Sequence, residues 1–470
     1  MHRIESRESC PMNDTAVKPA PAQAVVGKFT TGSIMRHVVV MSASGAVGLI
    51  AIFAVDLLSL LYISWLGNIN FTAGVGYATA VMFFSTSTNV GLMIGLSALV
   101  SRALGAGERE RARRMAGTAT VTSVIASALV AAFIMLVLHP MLTMMGATGD
   151  THEVAYRFLM IAMPSNVLLG LGMSLSGVLR SVGDAKRSMW VTLSGGIASV
   201  FIDPILIFGL GLGTNGAAVA TIISRLVFCT MGYIGAVRVH DLVRPPKPLE
   251  VVEDFKPLSS IAFAAVLTNL AAPVAGAFMT AVLAPYGDEA IAANAIITRL
   301  VPVAFGFVFA LSGAVGPIIG QNLGARNIDR VRRTLADSLV VTAAAVVLAW
   351  IVLALARNGI SYLFHAKDGT ADLVSFFCLI LAGTWIFHGA LFVANASFNN
   401  LGAPAMATAF NWGKSTIGTI PFALVGVQLG GVKGALIGQG IGALLFGIGG
   451  VYAAFRLVAV IERRWDAEQR

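Results

Sequence analysis

Twelve apolar runs, most of them twenty or more residues long, recur along this chain, and about twenty apolar residues is the length a helix needs to cross the hydrocarbon core of a bilayer. They fall at 34–62, 75–101, 116–138, 155–178, 189–209, 216–237, 258–284, 290–316, 335–356, 373–397, 405–427 and 433–457. Lipid offers no partner to a backbone N–H or C=O, so such runs must pair internally, as helices. Composition agrees: 57% of the residues are hydrophobic and 12% charged, against about 25% charged in a soluble chain. The expected fold is all-α and polytopic, with twelve transmembrane helices.

A net charge of +9 would suggest nucleic acid in a soluble protein. Here the cations gather in alternate connections. Arg102, Arg109, Arg111, Arg113 and Arg114 follow the second run, and Arg326, Arg330, Arg332 and Arg333 the eighth; those after the fourth and sixth are basic too. Connections after the first, third, fifth and seventh runs hold no Lys or Arg, and Arg357 and Lys367 after the ninth are the exception. The positive-inside rule then puts both termini in the cytoplasm of a cytoplasmic (inner or plasma) membrane. Residues 1–32 lack the apolar core of a signal peptide and read as a disordered cytoplasmic tail. Cys10, Cys229 and Cys378 have neither metal nor disulfide spacing. No cofactor, nucleotide or nucleic acid is expected, and the bilayer is the surrounding partner of a monomer.

The chain repeats itself. LGAGERERARR at 104–114 returns as LGARNIDRVRR at 323–333, an offset of 219, and GTNGA at 213–217 returns as GVKGA at 431–435, an offset of 218. Six spans bring the chain back to the same side, so a steady offset of this size means two parallel six-helix lobes. The predicted division is a first lobe at 33–237, a Pro-rich cytoplasmic linker at 238–257, a second lobe at 258–457 and a tail at 458–470.

The lobes differ in their acids. Asp203 lies in the fifth run and Ile420 stands in the matching place of the second lobe; Asp56, in the first run, has no counterpart either. A carboxylate at membrane depth is costly and marks function by default. Pro204 follows Asp203 and removes an N–H, freeing the carbonyl near Val200 and making a flexure point. Ser199 sits one turn before Asp203, and Thr221 opens the sixth run. An acid, two hydroxyls and free carbonyl oxygen suit a proton or a small hard cation. Both acids lie about nine residues from the outer ends of their spans and share a depth.

DPILIFGLGLGTNGAAVATIISR (203–225), VLRSVGDAKRSMW (178–190), the LGAGERERAR loop and the acid of the first run together resemble the multidrug and toxic compound extrusion (MATE) family, over the whole chain after residue 32. The resemblance implies secondary active export of organic, cationic or amphipathic compounds in exchange for protons or Na⁺. The family's first-lobe cation site maps onto Asp56, Ser199, Asp203 and Thr221. Ser199 departs from the family's Asn, which favours protons. The absence of acids from the seventh and tenth helices resembles the branch of DNA-damage-inducible exporters.

Asn166, Arg225, Asn269, Arg299 and His388 are expected along the substrate pathway, with a structural alternative for each arginine: snorkelling or pairing with carbonyls, and for Arg225 an ion pair with an intramembrane acid. Lys414 lies in NWGKST, but Thr408 stands where a phosphate loop needs glycine. Gly438 and Gly442 read as close helix packing. Two other functions fit less well. A lipid or lipid-linked oligosaccharide flippase would need cations converging in the cleft. An intramembrane aspartyl protease would need Tyr-Asp and Gly-x-Gly-Asp contexts, where this chain has VDLL and IDPI.

Overall fold

The computed structural model describes residues 27–470, and among them every regular element is a helix. Eleven continuous helical stretches are long and apolar enough to cross a bilayer. The last, Pro404–Glu468, crosses twice. It turns at Gly430 and Gly431, the second with φ +58° and ψ −142°, a conformation open to glycine at no steric cost. Gly418, Phe422 and Gly426 on one side of this turn then face Gly442, Gly438 and Gly434 on the other. The 438/442 glycines are internal packing, and the twelve predicted crossings are present.

The two lobes meet along a seam between the first and second spans (Ile34–Ser64 and Ile69–Gly105) and the seventh and eighth. The seam is tightest at the end of the bundle that carries the basic connections. There a side chain at Gly105 would overlap the Gln321 carbonyl, and one at Gly324 the Arg102 carbonyl. Arg102 donates to the carbonyls of Asn400 (2.9 Å) and Asn399 (3.1 Å), and Gln321 to that of Ser181 (2.6 Å). Farther along, Gly95 meets Leu258, Gly91 meets Val266, Gly45 meets Ala310 and Gly306 meets Ile50. Beyond Ile50 the first span packs little on Asp288–Ala304, and Asp56, Leu57, Arg299 and Val303 are exposed there. We read this as a cleft between the lobes, open at the end away from the basic loops.

Four boundaries move. Residues 27–32, read as part of a loose tail, are packed: Phe29 is 1% exposed and wedged at the seam, while 1–26 lie outside the described residues. The linker is shorter than 238–257, because the sixth span runs to Val239 and the seventh starts at Pro248. Pro248 at the first helical position and Glu250 bonding the Lys247 N–H (2.9 Å) are helix-start signals inside the predicted linker. The last helix continues through Gln469, so the segment 458–470 read as a tail extends it as helix. The eighth span is a pair, Asp288–Ala304 and Gly306–Gly324, broken at Phe305.

Candidate cation site and cleft

The first and fifth spans run parallel, as two odd-numbered crossings must. Gly48 packs on Thr192 and Ser59 on Asp203, the same separation in sequence, 144, at both contacts. This register builds the site. Asp203 is 2% exposed, and its carboxylate accepts hydrogen bonds from Ser59 Oγ of the first span and from Ser199 Oγ one turn back on its own helix (3.2 and 3.3 Å). The helix Ala185–Pro204 passes through Pro204 and widens into a π-helical turn, Ile205–Gly209, in which Leu210 N–H reaches Ile205 O at 2.9 Å. Asp56 stands one turn before Ser59 and level with Val200, whose carbonyl has lost its partner at Pro204. It is solvent-accessible and bonds to no neighbour among the described residues. The two acids are thus close but not at one depth: Asp56 lies about 4.5 Å, one turn, nearer the basic end.

Ser59 escaped the sequence reading, although it sits three residues after Asp56 and so one turn away on the same side of the helix. Thr221 is not part of the carboxylate's shell; its hydroxyl donates to Ala217 O (3.0 Å) on its own helix. A serine hydroxyl both donates and accepts, so Ser59 and Ser199 can serve Asp203 charged or protonated. Among the described residues no three His, Cys, Asp or Glu side chains gather as metal ligands.

The pathway residues divide. Asn166 is fully buried in a closed network with Asn89 and the Ser127 carbonyl (2.9 and 3.0 Å), so its amide is spent inside the first lobe. Among the described residues Arg225 pairs with no acid. It donates to Ala162 O (3.3 Å) and Ser165 Oγ (2.8 Å), capping the helix Gly149–Ala162 where the fourth span breaks at Met163–Ser165. Asn269 donates to Ala265 O (2.9 Å) and stays half-buried. His388 stacks on Trp385, ring centres 4.6 Å apart, inside the second lobe. Arg299 is exposed and, among the described residues, unpaired.

Arg299 and Asp56 nevertheless answer each other. Gly45 touches Ala310 across the seam, Asp56 is eleven residues from the first and Arg299 eleven from the second. On the first span eleven residues is close to three full turns, so Asp56 lies near the face of Gly45. Between Ala310 and Arg299 the helix is broken at Phe305, so there the spacing sets a level and not a face. The two charges are both exposed and lie near one level on opposite lobes.

The sequence model of the MatE family matches residues 46–205 and again 264–425, one copy in each lobe. The chain is 29% identical to the FAD transporter of Shewanella oneidensis over 90% of its own length and 95% of that protein's. It is 24% identical to the multidrug export protein MepA of Staphylococcus haemolyticus, over 87% and 90%. Its fold overlays the Vibrio cholerae MATE transporter VcmN in the bent form with TM-score 0.86 at 23% identity, over 91% of this chain and 97% of that one. An outward-facing MATE transporter overlays with TM-score 0.87 at 21% identity, over 93% and 98%. Twelve helices in two duplicated lobes, the acid site of the first lobe and a family match that falls once on each repeat lead to one conclusion: the chain belongs to the MatE family of multidrug and toxic compound extrusion transporters.

Proposed function

We propose that this transporter is an antiporter that exports an organic compound in exchange for protons by alternating access. The carrying observation is the buried Asp203 held by two serines on two different helices, with Asp56 one turn away at the cleft wall. With the basic end in the cytoplasm, the sealed seam faces inward and the cleft outward, the state that receives protons from outside. A proton on Asp203 removes a buried charge and lets Ser59 and Ser199 reorient, which repacks the first span against the fifth. Pro204 and the wide turn after it supply the flexure.

Asp56 supplies the second switch. When the cleft closes, Arg299 approaches it; the ion pair holds the closed state, and a proton on Asp56 removes it. Such a ligand shifts the equilibrium because it binds the two states differently. A serine where relatives place an amide, and a Thr221 hydroxyl committed to its own helix, favour protons over Na⁺.

The test is purified protein in liposomes carrying a pH-sensitive dye, with substrate added in Na⁺-free buffer. Substrate-driven proton movement, abolished in Asp203→Asn, is the expected result. A strict Na⁺ requirement keeps the site and changes the ion. Full exchange by a correctly inserted Asp203→Asn protein retires the site.

A further inference from the structure

The lobes segregate their charges. The first lobe has acids at mid-membrane; the second has none. No Asp or Glu occurs at 255–287, 290–328, 338–367 or 373–461, so the second lobe's carboxylates lie toward the two ends of the bundle. Lys414 sits between those ends. It is half-buried, and among the described residues its Nζ makes no hydrogen bond or ion pair. An intramembrane ammonium without a carboxylate marks a pathway for something that compensates it.

A helix break lies directly beside this lysine. The eleventh span stops at Ser415, at the end of the helix Pro404–Ser415, and resumes at Ile420. Lys414 thus occupies the last turn of a helix, where the negative end of the helix dipole favours a cation. The carbonyls of Trp412, Gly413 and Lys414 themselves accept from Thr416 N–H, Gly418 N–H and Thr419 Oγ1. Asn411 donates to Asn395 Oδ1 of the tenth span at 2.9 Å. On these antiparallel neighbours that register sets Lys414 level with Phe392, and the broken turn Thr416–Thr419 level with His388. The tenth span is itself broken at Leu381–Thr384. His388 Nδ1 is buried and has no hydrogen-bond partner. An aromatic wall completes the place: Trp385 lies between His388 and Phe305 (4.8 Å, 7° between planes), and Phe309 touches both Trp385 and Phe392. Interrupted helices at mid-membrane are where transporters of duplicated fold hold their substrates.

We propose that the broken tenth and eleventh spans form a substrate subsite for an organic anion, an aromatic ring system bearing phosphate or carboxylate, with Lys414 binding the anionic group and His388 Nδ1 donating to it. The inference deepens the antiport reading: cargo and proton occupy different lobes and are coupled through the seam rather than by contest for one carboxylate. It also reverses the cationic cargo that the family resemblance implies. The lysine is no phosphate loop, since it ends a helix instead of opening one.

The probes are riboflavin, its 5′-phosphate and ethidium, bound to purified full-length protein in nanodiscs and read by quenching of tryptophan fluorescence and by ligand polarisation. Wild-type protein is expected to prefer the phosphate over riboflavin by tenfold or more. Lys414→Met should bring the two within about twofold while leaving riboflavin unchanged, and Lys414→Arg should keep the preference. Equal binding of riboflavin and its phosphate by wild-type protein overturns the proposal even if no variant folds. So does a preference that survives Lys414→Met, or tighter binding of ethidium than of the phosphate. A phosphate preference without proton movement in liposomes retires the coupling and leaves the subsite; proton movement with ethidium alone does the reverse.

Discussion

Arg299→Gln isolates the pairing across the cleft. In the structure Asp56 and Arg299 are both accessible and, among the described residues, unpaired, each eleven residues from the Gly45–Ala310 contact about which the lobes would rock. Brought to 4 Å in a partly screened cleft, two unit charges attract by about 4 kcal/mol at an effective dielectric near 20. Desolvation and side-chain ordering take back a large share. A net of about 2 kcal/mol changes the closed-to-open ratio roughly thirtyfold. The assay is the distance between spin labels at Ser64→Cys and Asp288→Cys, at the open end of each lobe, after replacing the three native cysteines. The pair needs an ionised Asp56, so wild-type protein should move from long to short distances as pH rises. Arg299→Gln should lose the short population and its pH response; Arg299→Lys should keep part of both. Asp203 is the other acid facing the first span, so Asp203→Asn is run alongside to separate its titration from that of Asp56. If Arg299→Gln keeps the wild-type distances at every pH, the two charges do not hold the cleft closed and the reasoning is wrong.

Ser59→Ala leaves Asp203 with Ser199 alone. A hydrogen bond to a charged group is worth about 1.5–3 kcal/mol, and substrate-driven proton flux should fall about tenfold or more, while Ser64→Ala leaves it unchanged. Gly105→Leu forces a side chain into the Gln321 carbonyl at a cost of about 1–3 kcal/mol; cysteine labels at the basic end should become accessible without global unfolding. Asp184 is a test of pH dependence outside the membrane. Burial pushes its carboxyl up, but bonds from Arg187 N–H (3.0 Å), its guanidinium (2.5 Å) and His240 Nε2 (2.8 Å) together hold it below the ordinary value. A depressed folded value means its stabilisation is present above the ordinary carboxylate range and lost as pH falls through the folded one. Asp184→Asn should therefore lower the Tm in detergent at pH 7, with the difference from wild type shrinking as the pH falls through the depressed folded value.

Local patterns carried most of the fold. Span length, the basic connections and the repeated LGA motifs depend on composition and spacing, and the hairpin at Gly430–Gly431 follows from them. The site was legible where its partners share a helix: Ser199 precedes Asp203 by four residues. Ser59 and Asp203 lie 144 residues apart, and only the packing of Gly48 on Thr192 sets the register that joins them. The breaks at Met163–Ser165 and Thr416–Thr419 were hidden for another reason. Only the first contains a proline, and hydropathy is continuous across both. At the first, Arg225 bonds the Ala162 carbonyl that the break exposes; at the second, Lys414 sits in the last turn before it. Arg225 was instead given an acid as its alternative partner.

Residues 27–32 give the chain's own beginning a part in the cycle. Lys28 Nζ donates to Gly183 O of the first lobe (2.8 Å), while Phe29 N–H donates to Gln321 (2.8 Å) and Phe29 O accepts from Arg330 (2.9 Å), both of the second. Six residues moor both halves at the sealed mouth, so the lobes cannot part there without casting off at least one line. Substitutions at Lys28 or Phe29 then act on the balance between the two lobes' arrangements, and not only on the segment that carries them.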